Sequence, residues 1–237
     1  MKQMENFITD LLEMRACREA LVWIRDGLKK DPTLSLMNLW KSCSEPEWLM
    51  WLLMKKGSDS SWPNCFTVFD LMCDIVEKYT IQPLEADICS KENYEILRAA
   101  LGICRCYKLS YTLHHEMVWQ QTMETLQVMA STAVEDTIDA ESYEIVYLSD
   151  RNSRMIASSA FAIHYTLLTA RNVIPSSAVC VSNVISHAVL VSTYSHVTVD
   201  SVNSFTYDAL IPLSHKVRSD IANYIRANIT PPFERDF

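Results

Sequence analysis

The sequence predicts an all-α protein, a single-domain bundle of about eight or nine helices over residues 1–237. Apolar residues return at three- and four-residue steps along most of the chain, the spacing that buries one face of a helix. Only three glycines occur, and the Asn-Gly turns of tight hairpins are absent. Hydrophobic residues make up 49 % of the chain, which is enough to form a core.

The first half of the chain divides into six predicted helices with recognisable ends. Pro32 ends the first helix, because the residue before a proline avoids helical geometry. Ser44 is the predicted cap of the third helix, which tolerates Pro46 in its first turn and stops at Gly57. Ser90 caps the fifth. The six predicted ranges are 6–29, 35–43, 44–57, 64–78, 90–107 and 110–131.

The second half contains three more predicted helices. An acidic stretch over 132–142 is the predicted surface connection before them, and it suggests an alternative division of the chain into 1–131 and 143–237. Val-rich residues 186–199 could also form a strand, although this half lacks the turn residues that strands need. The predicted helices cover 143–172, 176–199 and 203–228.

The net charge of −8 is concentrated in one segment. Residues 109–150 contain no Lys or Arg, whereas they contain eight Asp and Glu residues. Direct binding to nucleic acid is disfavoured, because such affinity comes from basic side chains that neutralise phosphates. The segment is either a solvated surface or a binding site for a protein with a basic surface. The candidate partner-binding residues are Glu135, Asp136, Asp139, Glu141 and Glu144.

Targeting signals and cysteine usage indicate a cytoplasmic protein with reduced thiols. The N-terminus has no apolar signal-peptide core, and the eight cysteines form no Cys-x-x-Cys pair. Arg171 is the single charge between Met155 and Val199, but Pro175 and several serines interrupt this stretch. A membrane span needs about 20 mostly apolar residues. We therefore expect two buried helices packed through Ala and Ser rather than a membrane segment.

No recognisable catalytic motif is present, and we expect no enzyme activity, cofactor or metal. The three glycines exclude dinucleotide-binding, phosphate-binding and nucleophile-elbow motifs. A metal-dependent hydrolase is the enzymatic alternative, with Cys104, Cys106, His114 and His115 as the best ligand set. Residues two apart on a helix point about 200° away from each other, so the two thiols would not converge.

Five of the six tryptophans lie within the first 62 residues. Trp48 and Trp51 share a helix face, and together with His187 they are the candidate lining of a ligand pocket. The alternative is structural, because tryptophans commonly anchor cores and His164, His187 and His196 could be satisfied core histidines.

Both ends of the chain resemble a group of small bacteriophage and bacterial proteins that are labelled as hypothetical or immunity proteins. The N-terminal resemblance lies in Ala20-Leu21-Val22-Trp23, Trp40-Lys41-Ser42-Cys43 and Trp48-Leu49-Met50-Trp51-Leu52. The C-terminal resemblance lies in Asp220-Ile221 and Pro231-Pro232-Phe233, and the two ends cover about 60 of the 237 residues. The resemblance implies an all-helical fold and a phage or defence context, and it brings no catalytic residues.

These observations predict a non-enzymatic interaction protein of phage type. Its acidic surface would bind a host or defence protein, in the host cytoplasm if a phage encodes it. The alternative is a helical pocket protein that binds or sequesters a small ligand such as a nucleotide signal. The sequence leaves the formation of oligomers open.

Overall fold

The protein is all-helical, as predicted. The structure, a computed structural model, describes residues 2–57, 59, 62–84, 88–107, 113–135, 143–171, 178–197, 207–231 and 233. Over these residues there are ten α-helices and no strand. The helices are α1 (Lys2–Glu13), α2 (Arg18–Lys30), α3 (Leu36–Ser42), α4 (Pro46–Lys56), α5 (Cys65–Val76), α6 (Lys91–Tyr107), α7 (Leu113–Glu135), α8 (Tyr143–Arg171), α9 (Ala178–Ser195) and α10 (Tyr207–Asn228).

Helix α9 is the centre of the packing. It contacts α4, α5, α8, α10 and the single π-helical turn Glu77–Ile81 that extends α5. Its sequence contains no charged residue, and a helix that is apolar on most sides is stable only when other elements surround it. The Val-rich region is therefore helix up to Ser195, and the strand alternative is wrong there.

Several buried hydroxyl groups of α8 and α9 are hydrogen-bonded within their own helices. Ser159, Thr166 and Thr193 each donate a hydrogen bond to the carbonyl oxygen four residues earlier, at 2.7–2.8 Å. Such bonds let a polar side chain lie in a core without an unpaired donor. Alanines between them, including Ala160 and Ala162, are fully buried. The prediction of two buried helices packed through Ala and Ser is confirmed.

The predicted first helix over 6–29 is wrong, because the chain forms two helices there. Arg15 adopts a left-handed conformation with φ 61°. The amide of Ala16 donates to the carbonyl of Leu11 at 2.8 Å, and the amide of Arg15 donates to that of Leu12 at 3.0 Å. This pair of bonds is a Schellman ending, which usually has glycine at the left-handed position. Because the residue there is an arginine, the composition does not mark the break, and the described residues form ten α-helices.

The start of α4 also differs from the prediction that Ser44 caps it. The N-cap residue is Glu45, whose side chain makes no capping hydrogen bond, and Pro46 is the first helical residue. Glu47 is only 8 % exposed, and its carboxylate pairs with Arg218 of α10. The prediction that Ser44 caps this helix is therefore wrong. By contrast, Ser90 accepts a hydrogen bond from the amide of Asn93 at 3.2 Å, as predicted.

Two glycines play different parts in the fold. Gly57 follows α4 as predicted, but in a right-handed conformation, with a φ of −64°. A Cβ atom at Gly57 would lie 2.7 Å from the Sγ of Cys65 and 3.3 Å from the carbonyl oxygen of Leu53, so close packing explains this glycine. A Cβ atom at Gly102 would meet nothing within 4 Å, so close packing does not explain this glycine.

Alanine at these two positions is expected to change stability in opposite directions. Gly102→Ala should raise the free energy of unfolding by about 1 kcal/mol, because alanine is the better residue inside an exposed helix. Gly57→Ala should lower it by about 1–3 kcal/mol, because the added methyl overpacks the contact with Cys65. Urea denaturation of both variants measures the difference. Destabilisation by Gly102→Ala would contradict the open environment seen at that position.

None of the helices in the described part of the chain has both the length and the apolar character needed to cross a bilayer. Within the same residues, the hydrophobic core extends from Met4 in α1 to Ile229 after α10. Phe233 joins the two ends of the chain, because its ring contacts Trp40, Trp62 and Phe7 at centroid distances of 5.3–6.4 Å.

Candidate functional site

Helix α7 has one face packed on the core and one open to solvent. Trp119 is buried on the inner face, and its indole nitrogen donates a hydrogen bond to the carbonyl oxygen of Leu167 in α8 at 3.3 Å. On the outer face Met117 and Val128 are each 64 % exposed, and Glu124 is exposed between them. Exposed apolar side chains such as these can supply contact area to a protein partner.

The predicted partner-binding acids, Glu135 to Glu144, lie where the chain passes from this helix to α8, and this part of the sequence is here called the acidic segment. Glu135 is the last residue of α7 and Glu144 lies in the first turn of α8, whereas Asp136, Asp139 and Glu141 lie outside the described residues. The C-terminal end of a helix carries the negative end of its dipole. In the sequence, the stretch between residues 109 and 150 contains eight Asp and Glu residues and no Lys or Arg.

Trp48 and Trp51 line a cavity of about 60 Å³, here called the tryptophan cavity. Its walls come from α1–α4 and from the chain beyond α10. They are almost wholly apolar, and the aromatic side chains among them are Phe7, Trp23, Trp40, Trp48, Trp51 and Phe233. The predicted pocket residues Trp48 and Trp51 are thus brought together, although the space between them is small.

His187 is not among the described residues that line the tryptophan cavity. Its ring stacks on Phe161 and Tyr165 of α8, at centroid distances of 5.4 and 5.9 Å. Burial lowers the pKa of His187 and the pKa of His164, so both imidazoles are neutral at neutral pH. These ring contacts hold α9 against α8. His187 therefore contributes to the packing of the two helices.

A partly buried ion pair that the sequence did not predict links α4 to α10. Both carboxylate oxygens of Glu47 lie 2.6 Å from Nη1 of Arg218, and the same nitrogen donates to Glu45 at 2.9 Å. Ser186 of α9 donates a further hydrogen bond to Glu47 at 3.3 Å. Burial raises the pKa of Glu47 by more than the neighbouring Arg218 lowers it. Glu47 and Arg218 are 171 residues apart in the sequence. The available signal for this contact was the presence of two acidic residues, Glu45 and Glu47, at the start of the apolar helix α4.

A second arginine fastens α10 to the end of α3. Nη1 of Arg226 donates hydrogen bonds to the carbonyl oxygens of Trp40 and Cys43. Carbonyl groups at the C-terminal end of a helix have no partner within the helix, so the arginine supplies one.

An open groove of about 290 Å³ runs between α9 and α10, and its lining includes Leu190, Ile211 and Arg218. The charge of Arg218 is already balanced by Glu45 and Glu47. The two arginines therefore stabilise the packing of the last helix.

The two cysteines of the metal-site alternative lie apart on α6. Cys104 is buried and Cys106 is exposed, so the two thiols lie on opposite sides of α6 as the helical spacing requires. His114 and His115 belong to the first turn of α7. Among the described residues there is no group of three or more His, Cys, Asp or Glu side chains that could hold a metal ion.

All eight cysteines are free thiols, and several of them are poor nucleophiles. Burial raises the pKa of Cys43 and of Cys89 to about 11, and it also raises the pKa of Cys104 and of Cys180. The thiolate is the reactive form of cysteine, so these four residues are protonated and weakly reactive at neutral pH.

No family model, no curated protein and no solved structure matches this chain. The resemblance of its two ends to phage and bacterial proteins stays a prediction.

Proposed function

We propose that the protein acts by binding a partner protein with a basic surface and that it performs no chemistry itself. The observation that carries this proposal is the outer face of α7, where Met117 and Val128 are exposed around Glu124 and lead into the acidic segment. A basic partner complements the negative field at the end of α7, and the exposed apolar side chains supply contact area. The resemblance of the chain ends suggests that the partner is a host or defence protein.

Charge reversal in the acidic segment tests this proposal. Replacing Glu135, Asp136, Asp139 and Glu141 by lysine should weaken the complex about tenfold or more and reduce its dependence on salt, because long-range attraction speeds association. The partner is first captured from infected and uninfected host extracts with the wild-type chain, and its affinity for each purified variant is then measured.

A matched control keeps the change in net charge the same but moves it elsewhere. Glu5, Glu13, Glu19 and Glu92 are exposed residues of α1, α2 and α6, and their replacement by lysine should leave the affinity nearly unchanged. Equal loss in both variants would mean that net charge matters and the position of the acids does not. Unchanged binding by the first variant would exclude the acidic segment as the binding site.

The alternative of small-ligand sequestration fits the geometry less well. Ligand pockets usually measure roughly 300–1,000 Å³ and contain a few polar groups that orient the ligand. The tryptophan cavity measures about 60 Å³ and its walls are apolar, so a nucleotide would have neither room nor hydrogen-bond partners there. Thermal-shift measurements against a panel of nucleotides test this alternative, and a clear stabilisation would favour it.

A further inference from the structure

We propose that the tryptophan cavity is a binding site for a small uncharged alkyl group of about three carbon atoms, such as an isopropyl group, carried by a larger ligand. This site is separate from the acidic surface of α7. The chemistry of the walls sets the class of ligand. Almost all of the lining is aromatic or aliphatic carbon, so a charged or strongly polar group would lose its hydration without gaining a partner.

The volume of the cavity sets the size of the group. An engineered apolar cavity of about 150 Å³ stays dry and accepts benzene, a ring of six carbon atoms. At about 60 Å³, the tryptophan cavity has room for about half as many carbon atoms. Water gains little there because the walls offer it almost no hydrogen bonds, which leaves the space open to an apolar occupant.

The cavity is partly open, so a ligand can enter it without the whole molecule being enclosed. Trp40 in its wall is 5 % exposed, whereas Trp23, Trp48 and Trp51 are only partly buried. The rings of Trp23 and Trp48, from α2 and α4, are in contact at a centroid distance of 5.9 Å. The rest of the ligand can therefore remain outside the cavity while the alkyl group lies within it.

Xenon and cyclopropane are suitable probes, because both are uncharged, apolar and small. Four of the six tryptophans line the cavity, so a bound probe should change the intrinsic fluorescence strongly. We expect cyclopropane to bind with a Kd of about 1 mM, near the limit for three heavy atoms. At ten times that concentration it should raise the Tm by about 3–5 °C.

Filling the cavity is the matching test. Ala20 lines the cavity, and Ala20→Leu should weaken cyclopropane binding at least tenfold. Ala99→Leu on the exposed side of α6 makes the same chemical change away from the cavity and should leave binding unaltered. Equal affinities of the two variants, or wild-type protein that neither probe affects, would overturn the proposal.

A measurement on the wild-type chain covers the case in which Ala20→Leu does not fold. Titration with cyclopropane is followed by residue-resolved NMR, and the largest shift changes should fall on the residues of α2 and α4 that surround the cavity. Changes centred elsewhere in the protein, or no changes at all, would overturn the proposal.

Discussion

Replacing Arg218 by methionine is expected to lower the free energy of unfolding by about 3–5 kcal/mol, because it leaves a buried carboxylate without its counter-charge. Glu47 is 8 % exposed, and both of its oxygens lie within hydrogen-bond distance of Arg218. Urea denaturation at neutral pH measures the loss. Arg25→Met, at an exposed position of α2, is the control and should change stability by less than about 0.5 kcal/mol.

The loss should depend on pH in a defined direction. Burial raises the pKa of Glu47 in the folded protein above its ordinary value of 4.5, so the folded state binds this proton more tightly than the unfolded state. The contribution of Glu47 to stability therefore falls as pH rises from about 4.5 to the folded pKa. Without Arg218 the folded pKa rises further. The defect of Arg218→Met should be small near pH 4.5 and full at neutral pH.

A double variant separates the unpaired charge from the lost packing. Glu47→Leu combined with Arg218→Met replaces the ion pair by apolar side chains, and such replacements are often neutral or stabilising. We expect the double variant to recover most of the stability that Arg218→Met loses. A double variant as unstable as the single one, or a defect of equal size at all pH values, would show that the buried charge is not the cause.

Replacing Phe69 by alanine is expected to cost about 3–5 kcal/mol, because it opens a large cavity in the core. Phe69 lies on α5 and is 0 % exposed. Phe66 lies one turn earlier on the same helix and is 48 % exposed, so Phe66→Ala provides a matched control. Its cost should be about 1 kcal/mol or less. Thermal and urea denaturation of the two variants give the comparison.

The difference between the two phenylalanine variants is the decisive quantity. A loss of less than about 2 kcal/mol in Phe69→Ala would mean that the surrounding side chains collapse into the space. Losses of similar size in both variants would contradict the orientation of α5, because that orientation places Phe69 inside and Phe66 outside.

Much of the fold could be predicted because its signals are local. Ser90 caps α6 through the amide of Asn93, three residues away, and a hydrogen bond of this kind depends only on neighbouring residues. The break at Arg15 could not be predicted, because arginine occupies a left-handed position that is normally marked by glycine. The surroundings of Gly102 could not be predicted either, because the sequence does not show which atoms lie near a glycine inside a helix.

The candidate sites were predicted in part. The spacing of Trp48 and Trp51 indicated a shared face, and the structure places both beside the tryptophan cavity. The sequence could not show that Phe233 lines the same cavity, nor that His187 lies apart from it against Phe161. Both arrangements depend on how helices pack around one another, and the periodicity of a single helix does not specify its partners.

The sequence by itself determined the helical class, most helix ends and the concentration of negative charge between residues 109 and 150. Those properties arise from residue spacing, from capping within a few residues and from composition. The tertiary structure alone decided that Glu47 pairs with Arg218 across 171 residues and that the tryptophan cavity is small and apolar. The physical reason is that pairing and cavity shape depend on the relative orientation of distant helices, which the packing of the whole core determines.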